Sequence, residues 1–301
     1  MKTLAERTLI WFAILMFAAV SCTERIDIKT DDAPPRLVIY GIVSTDTIHV
    51  KITRSAGFFS TDSPESISNA IVTISDDDGK IITLAENDEI SGLYHAPSGV
   101  YGEEDKTYTL DVKLDFDGNG ILEHYQSKAY LQNINHIDKV GLQSSLLFKN
   151  TVEVLLYAQD LPGEKNIYTI FVAINDSVVN STINRFFVMD NDFFRGQYID
   201  GIACYYLNQD PESEYSNEIL NIGDKITLNI NAISQEYATF ISNVQSEIRG
   251  FNPIFGGPPA NVPTNIKCID TPDGISISGF FTAFPSRYCD TLVEEEFTLK
   301  K

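Results

Sequence analysis

Apolar residues recur at every second position through much of the chain. Ile48, Val50 and Ile52 alternate with His49, Lys51 and Thr53, and Tyr108, Leu110, Val112 and Leu114 alternate with Thr109, Asp111 and Lys113. A period of two gives each segment one apolar and one polar face, as in a half-buried strand of an antiparallel sheet. Further strands are expected over 36–44, 69–75, 80–84, 92–95 and 124–130, with turn residues such as Asp77-Asp78-Gly79 and Asp117-Gly118-Asn119-Gly120 between them. About seven short strands within about 100 residues is the pattern of an immunoglobulin- or fibronectin-like β-sandwich, and residues 36–133 are assigned to one.

The second half keeps the β character with wider spacing. Strands are expected at 151–158, 167–174, 185–189, 225–233, 275–283 and 291–299, and 190–200 and 208–221 read as long polar loops. One segment has a different period: over 234–249, Tyr237, Phe240, Ile241, Val244 and Ile248 fall on one helical face, with Ser234 placed to cap the start and Gly250 to close the end. Such a helix is expected to cover an open sheet edge or face. The fold expected is therefore all-β, with residues 134–301 forming a larger β domain that carries one amphipathic helix.

The N-terminus is organised differently. Lys2 and Arg7 precede an uncharged apolar run from Leu9 to Val20, which at 1.5 Å per residue is too short to span a ~30 Å hydrocarbon core and reads as a secretory signal over 1–21. Ala19-Val20-Ser21-Cys22 resembles a bacterial lipobox, which would make acylated Cys22 the mature N-terminus and the membrane anchor; ordinary secretion with cleavage nearby is the alternative. Residues 22–35, polar and ending in Pro34-Pro35, read as a tether.

Charge narrows the function classes. With 22 Lys+Arg against 42 Asp+Glu and no basic cluster, the chain lacks the cationic surface that displaces counterions from phosphates, so no nucleic-acid partner is expected. Catalytic signatures are missing too. There is no Gly-x-Ser-x-Gly elbow, no Walker or dinucleotide glycine motif, and His49, His95, His124 and His136 are scattered without metal-ligand spacing. No enzymatic activity and no cofactor are expected, with one exception to weigh. Asp115-Phe116-Asp117-Gly118-Asn119-Gly120 has the opening of a calcium loop, with oxygen ligands Asp115, Asp117 and Asn119 at positions 1, 3 and 5. Position 12 is Gln126 rather than Glu, and strands flank the loop, so a glycine-rich hairpin turn is the competing reading.

Besides Cys22, the chain has Cys204, Cys268 and Cys289. In an oxidising compartment a Cys268–Cys289 disulfide is favoured, with Cys204 pairing to either as the rival and three reduced cysteines as the alternative. Phe193, Phe194, Tyr205, Tyr206, Phe251 and Phe255, set beside polar loops, mark the expected binding surface for a small molecule, glycan or peptide.

Several fragments carry a resemblance. They include Leu37-Val38-Ile39-Tyr40-Gly41, Asp160-Leu161-Pro162-Gly163 with Tyr168, the loop from Asp190 to Gly196, Tyr237, and Pro258-Pro259-Ala260-Asn261-Val262-Pro263-Thr264-Asn265-Ile266 before Gly279-Phe280-Phe281. Together they resemble the domain-of-unknown-function 4249 family of Bacteroidota lipoproteins over nearly the whole mature chain. The chain departs from it in carrying Lys267-Cys268-Ile269-Asp270 where members tend to have glycines. The resemblance implies an envelope lipoprotein, often encoded near TonB-dependent outer-membrane receptors, with no established activity. The function expected is a non-enzymatic binding or accessory protein held at the outer membrane by its lipid and associated with such a receptor. An envelope glycan or peptide hydrolase and a structural or adhesive module are the alternatives.

Overall fold

The computed structural model describes residues 35–56, 63–163, 165–249, 262–270 and 277–297. The signal 1–21, Cys22, nearly all of the tether, Gly250, Phe251, Phe255 and the segment from Pro258 to Asn261 lie outside the described residues.

The period-two segments form strands as expected. β1 (Leu37–Ser44) and β2 (Ile48–Arg54) pair antiparallel, with Leu37, Ile39, Val43, Ile48, Val50 and Ile52 turned into one core. β3 (Ile71–Asp76), β4 (Ile81–Glu86), β5 (Leu93–His95), β6 (Lys106–Leu114) and β7 (Glu123–Leu131) complete the local chain of strands. β4 turns the corner between two layers: Ile81 to Leu84 pair with β3, while Ala85 and Glu86 pair with β5. Val72, Ile74, Leu110, Val112 and Tyr125 from one layer then face Ile39, Val50 and Ile52 from the other.

Two strands of this first sandwich come from far down the chain. β15 (Lys267–Cys268) adds to β7, and β16 (Ile277–Phe284) runs parallel to β1 in continuous register from Leu37↔Ile277 to Ser44↔Phe284. Strand membership therefore does not follow a division at 133/134. The parallel contact is close at Gly279, whose φ is +100°; a Cβ there would lie 2.0 Å from the Ile39 carbonyl oxygen, so only glycine fits.

The second sandwich stacks β8 (Ile137–Ser144), β9 (Thr151–Gln159) and β13 (Tyr198–Asn208) on a sheet of β10 (Ile167–Ile174), β11 (Ser177–Val178), β12 (Phe187–Asp190), β14 (Lys225–Ile233) and β17 (Ser286–Leu292). Val152, Val154 and Leu156 meet Ile170, Val172, Ile226 and Leu228 in its core. The sequence reading missed β8 and β13 and placed β17 late. β13 carries bulges between Asp200 and Ile202 and between Ala203 and Tyr205, and β8 has one between Ile137 and Lys139; each inserts a residue and breaks the alternation.

Helix α1 (Gln235–Ile248) begins at Ser234, whose side-chain oxygen accepts the Tyr237 N–H at 3.1 Å. Its apolar face joins the sandwiches. Tyr237, Phe240 and Ile241 pack with Ile167 and Ile233 of the second sandwich and Phe280 of the first, and the Tyr237 hydroxyl meets that of Tyr40 on β1. Arg287 on β17 adds a polar tie to Glu104 and to the Ile134 carbonyl. Among the described residues the protein is all-β with one α-helix, and none of their helices is long and apolar enough to cross a membrane.

Candidate functional site

An open groove on the second sandwich collects the aromatic residues best placed for recognition. β13 contributes Tyr205 and Tyr206, β12 contributes Phe187, the β8–β9 hairpin contributes Phe148, and a 3-10 turn over Ile183–Arg185 brings in Arg185. Because side chains alternate along a strand, Tyr205 is buried in the core and Tyr206 stays open to solvent. Phe148 stands edge-on to Tyr206 with ring centroids 5.3 Å apart, and Phe187 edge-on to Tyr205 at 6.2 Å.

A polar network underlies these rings. Glu218 is 3% exposed and receives Arg185, the Tyr205 hydroxyl at 3.5 Å and the Asn208 N–H at 2.8 Å. The Arg185 guanidinium also lies 4.6 Å from the Tyr215 ring centroid. Burial and the adjacent Glu218 carboxylate push the Tyr205 phenol up to about 12, with Arg185 opposing them, so the groove has no proton to give or take from this Tyr near neutrality. It offers aromatic faces, a fixed guanidinium and hydrogen-bonding groups, the inventory of a recognition surface.

The other aromatic residues expected on this surface separate. Phe193 is 94% exposed, whereas Phe194 is buried in the second core. The hairpin tip beside Phe148 adds Leu146 and Leu147, 74% and 81% exposed. Phe148, Arg185, Tyr215 and Glu218 were not singled out from sequence. They come from three loops far apart in the chain, and only the preceding Leu146-Leu147 run marks one of them as unusual.

The Asp115 loop caps the β6–β7 hairpin. Asp115 accepts N–H groups from Gly118 at 2.7 Å, Asn119 at 3.1 Å and Gly120 at 2.8 Å; the Gly120 amide is the main influence holding its carboxyl below the usual range. Asp117 accepts the Asn119 N–H at 3.0 Å and its side-chain amide at 2.9 Å. Gln126 points elsewhere, donating to Asp111 at 2.9 Å. The third carboxylate of the group is instead Glu123, with one oxygen of each of Asp115, Asp117 and Glu123 lying within 4.8 Å of the others. Asn119 turns its side-chain oxygen to the Ile121 N–H at 2.7 Å.

Among the described residues, Cys204, Cys268 and Cys289 form no disulfide. The expected Cys268–Cys289 pair is divided between the two sandwiches: Cys268 is buried in the first core opposite Tyr125, and Cys289 lies on β17 of the second. Cys204 is fully buried in the second core, where burial pushes its thiol up to about 12.

Several fragments that carry the resemblance meet in space. Asp160, 3% exposed, accepts the Tyr168 hydroxyl at 2.6 Å, the Asn191 amide at 2.8 Å and the Gly196 N–H at 2.8 Å. One buried carboxylate thus fixes the loop from Asp190 to Gly196. These contacts engage both oxygens of Asp160, and no second carboxylate accompanies it among the residues it bonds.

No curated protein matches the chain. Two solved structures share fragments of its outline: a DUF4785 family protein from Legionella pneumophila (9% identity, TM-score 0.24, covering 64% of this chain and 50% of that one) and the FN1–FN3 domains of chicken CNTN1 (11% identity, TM-score 0.24, covering 67% and 63%). This chain spans half of the first and less than two thirds of the second. A family model described as domain of unknown function DUF4249 matches residues 23–287, the span over which Tyr40, Asp160, Tyr237 and Gly279 make the contacts described, and the chain belongs to that family.

Proposed function

We propose that the protein is a non-enzymatic binding or accessory lipoprotein of the cell envelope, anchored through acylated Cys22 and working beside a TonB-dependent outer-membrane receptor. The observation that carries the binding part is the groove itself. Phe148 and Tyr206 form an aromatic edge above half-buried Arg185 paired with buried Glu218, an arrangement suited to holding a peptide, a glycan or a loop of a partner protein. Arg185 and Tyr205 are committed to Glu218. The lipobox-like Ala19-Val20-Ser21-Cys22 supports the anchor, and the acidic surface leaves the lipid as the attachment to anionic membranes.

Affinity purification from gently solubilised native membranes tests this reading. The native protein should recover an outer-membrane receptor in stoichiometric amount, the Cys22→Ala form should be released from membranes, and a Phe148→Ala/Tyr206→Ala form should stay anchored but lose the receptor. Recovery of the protein alone, together with no ligand in glycan and peptide screens, rejects it.

A further inference from the structure

The groove lies where the second sandwich has an open edge. Among the described residues β13 pairs with β9 on one side and with no strand on the other. Gln209 donates its backbone N–H to the Asn150 carbonyl at 2.7 Å, and opposed residues of an antiparallel ladder alternate between bonded and non-bonded pairs. Followed back through Asn208↔Thr151 to Tyr206↔Glu153, this alternation directs the N–H and carbonyl groups of Asn208 and Tyr206 away from β9. On that side the Asn208 N–H is taken at 2.8 Å by Glu218, which lines the groove. The backbone groups of Tyr206 have no partner there among the described residues, so the strand presents one donor and one acceptor beside an exposed ring.

Charge in the groove runs against that of the whole chain. The protein carries a net charge of −20, yet Lys149, Arg185 and Arg249 line the groove against one carboxylate, Glu218. Glu218 is buried and held by Arg185. Lys149, which follows the hairpin tip at Phe148, and Arg249, at the C-terminal end of α1, are exposed and make no ion pair among the described residues. Two uncompensated cations beside an aromatic surface give the groove a positive local potential on an acidic protein, and such complementarity steers and selects an anionic partner. The groove has a volume of about 740 Å³, within the range of ligand sites.

We propose that the groove binds an extended acidic peptide segment, whose main chain pairs with Tyr206 at the free edge of β13, whose apolar side chains meet Phe148 and Tyr206, and whose carboxylates meet Lys149 and Arg249. The inference rests on reading this groove as a recognition site and narrows its occupant. An extended chain supplies main-chain donors and acceptors at the spacing of a strand, which a sugar does not, and the two cations favour carboxylates over amides or amines. The bulges between Asp200 and Ile202 and between Ala203 and Tyr205 interrupt the ladder, so the pairing is confined to the stretch from Tyr205 to Asn208. The same bulges keep other strands from adding along the whole edge.

The test titrates the full chain into a fluorescein-labelled hexapeptide of alternating glutamate and phenylalanine and follows anisotropy. Binding should saturate and should weaken as salt rises, because exposed charges are screened. Lys149→Glu and Arg249→Glu should each weaken it about fivefold or more, the upper range for one exposed ion pair. Lys128→Glu, exposed on β7 of the first sandwich, makes the same change in net charge and should leave affinity as it was. All three substituted positions are exposed, so the variants keep the fold, which circular dichroism checks. Absence of saturable binding up to about 1 mM peptide, the weak end of measurable affinity, overturns the proposal. So does equal binding of the same peptide with glutamine in place of glutamate, or displacement of the peptide by an equal concentration of an oligogalacturonate. A receptor recovered from membranes by a protein that binds no acidic peptide would overturn this inference and leave the proposed function standing. Peptide binding by a protein that recovers no receptor would do the reverse.

Discussion

Asn265 and Phe281 are joined as two strand residues would be, although only one of them is in a strand. The Asn265 side chain donates from Nδ2 to the Phe281 carbonyl at 2.7 Å and accepts the Phe281 N–H on Oδ1 at 2.9 Å, while its own carbonyl accepts the Ser127 hydroxyl at 3.0 Å. One residue, through its side-chain amide and its backbone carbonyl, thus bridges β16 to β7 and closes the corner of the first sandwich opposite β4. Replacement of Asn265 by Ala leaves a buried N–H and carbonyl on Phe281 unpaired and is expected to cost about 2–4 kcal/mol, read as a lower urea midpoint with unchanged slope. Asn265→Asp keeps the acceptor and loses the donor, and it should fall between the two.

Asp160 is the equivalent point in the second sandwich. Asp160→Ala strands three donors, from Tyr168, Asn191 and Gly196, and should destabilise by about 3 kcal/mol or more. Hydrogen exchange in the loop from Asp190 to Gly196 should rise well above that in β10. Tyr168→Phe removes one donor and should cost about 1 kcal/mol.

Lys106 is shared by Asp76 at 3.3 Å, Asp78 at 3.1 Å and Glu103 at 2.8 Å. Glu103 and Asp78 chiefly raise the Lys106 ammonium above its ordinary value. Burial alone would raise Asp76, but the Lys80 amide and Lys106 outweigh it and hold the carboxyl below its usual range. A depressed carboxyl stabilises the fold above the unfolded pKa of about 4 and loses that contribution as pH falls through the folded value. Lys106→Met should therefore lower Tm at pH 7, with the gap from the native protein narrowing as pH falls below about 4. A gap independent of pH would assign the effect to lost packing instead.

Thiol accessibility distinguishes the cysteines. With Cys204 and Cys268 buried and Cys289 partly exposed, maleimide should label only Cys289 of the three in the native protein. In urea without reductant, all three should react. Labelling of a single one in urea would restore a disulfide between two of them.

Much of the architecture was legible because alternation reports burial directly. β1, β2, β6 and β7 declare themselves this way, and Ser234 declares the start of the helix. β8 and β13 were hidden by bulges that displace the pattern, and the pairing of β16 with β1 could not be seen because a parallel partner leaves no local trace. The site was legible only in part. Tyr205 and Tyr206 were noted as aromatic, but which of them faces solvent depends on the bulge before Tyr205.

The parallel pairing of β1 with β16 also sets an order of events. A chain made from its N-terminus presents β1 and β2 early, but the outer edge of β1 must wait until nearly the whole polypeptide has been synthesised. Such long-range closure is slow and leaves an unpaired strand edge exposed meanwhile. The protein is thus completed from its tail. A chain truncated before Ile277 should present that edge permanently to other chains.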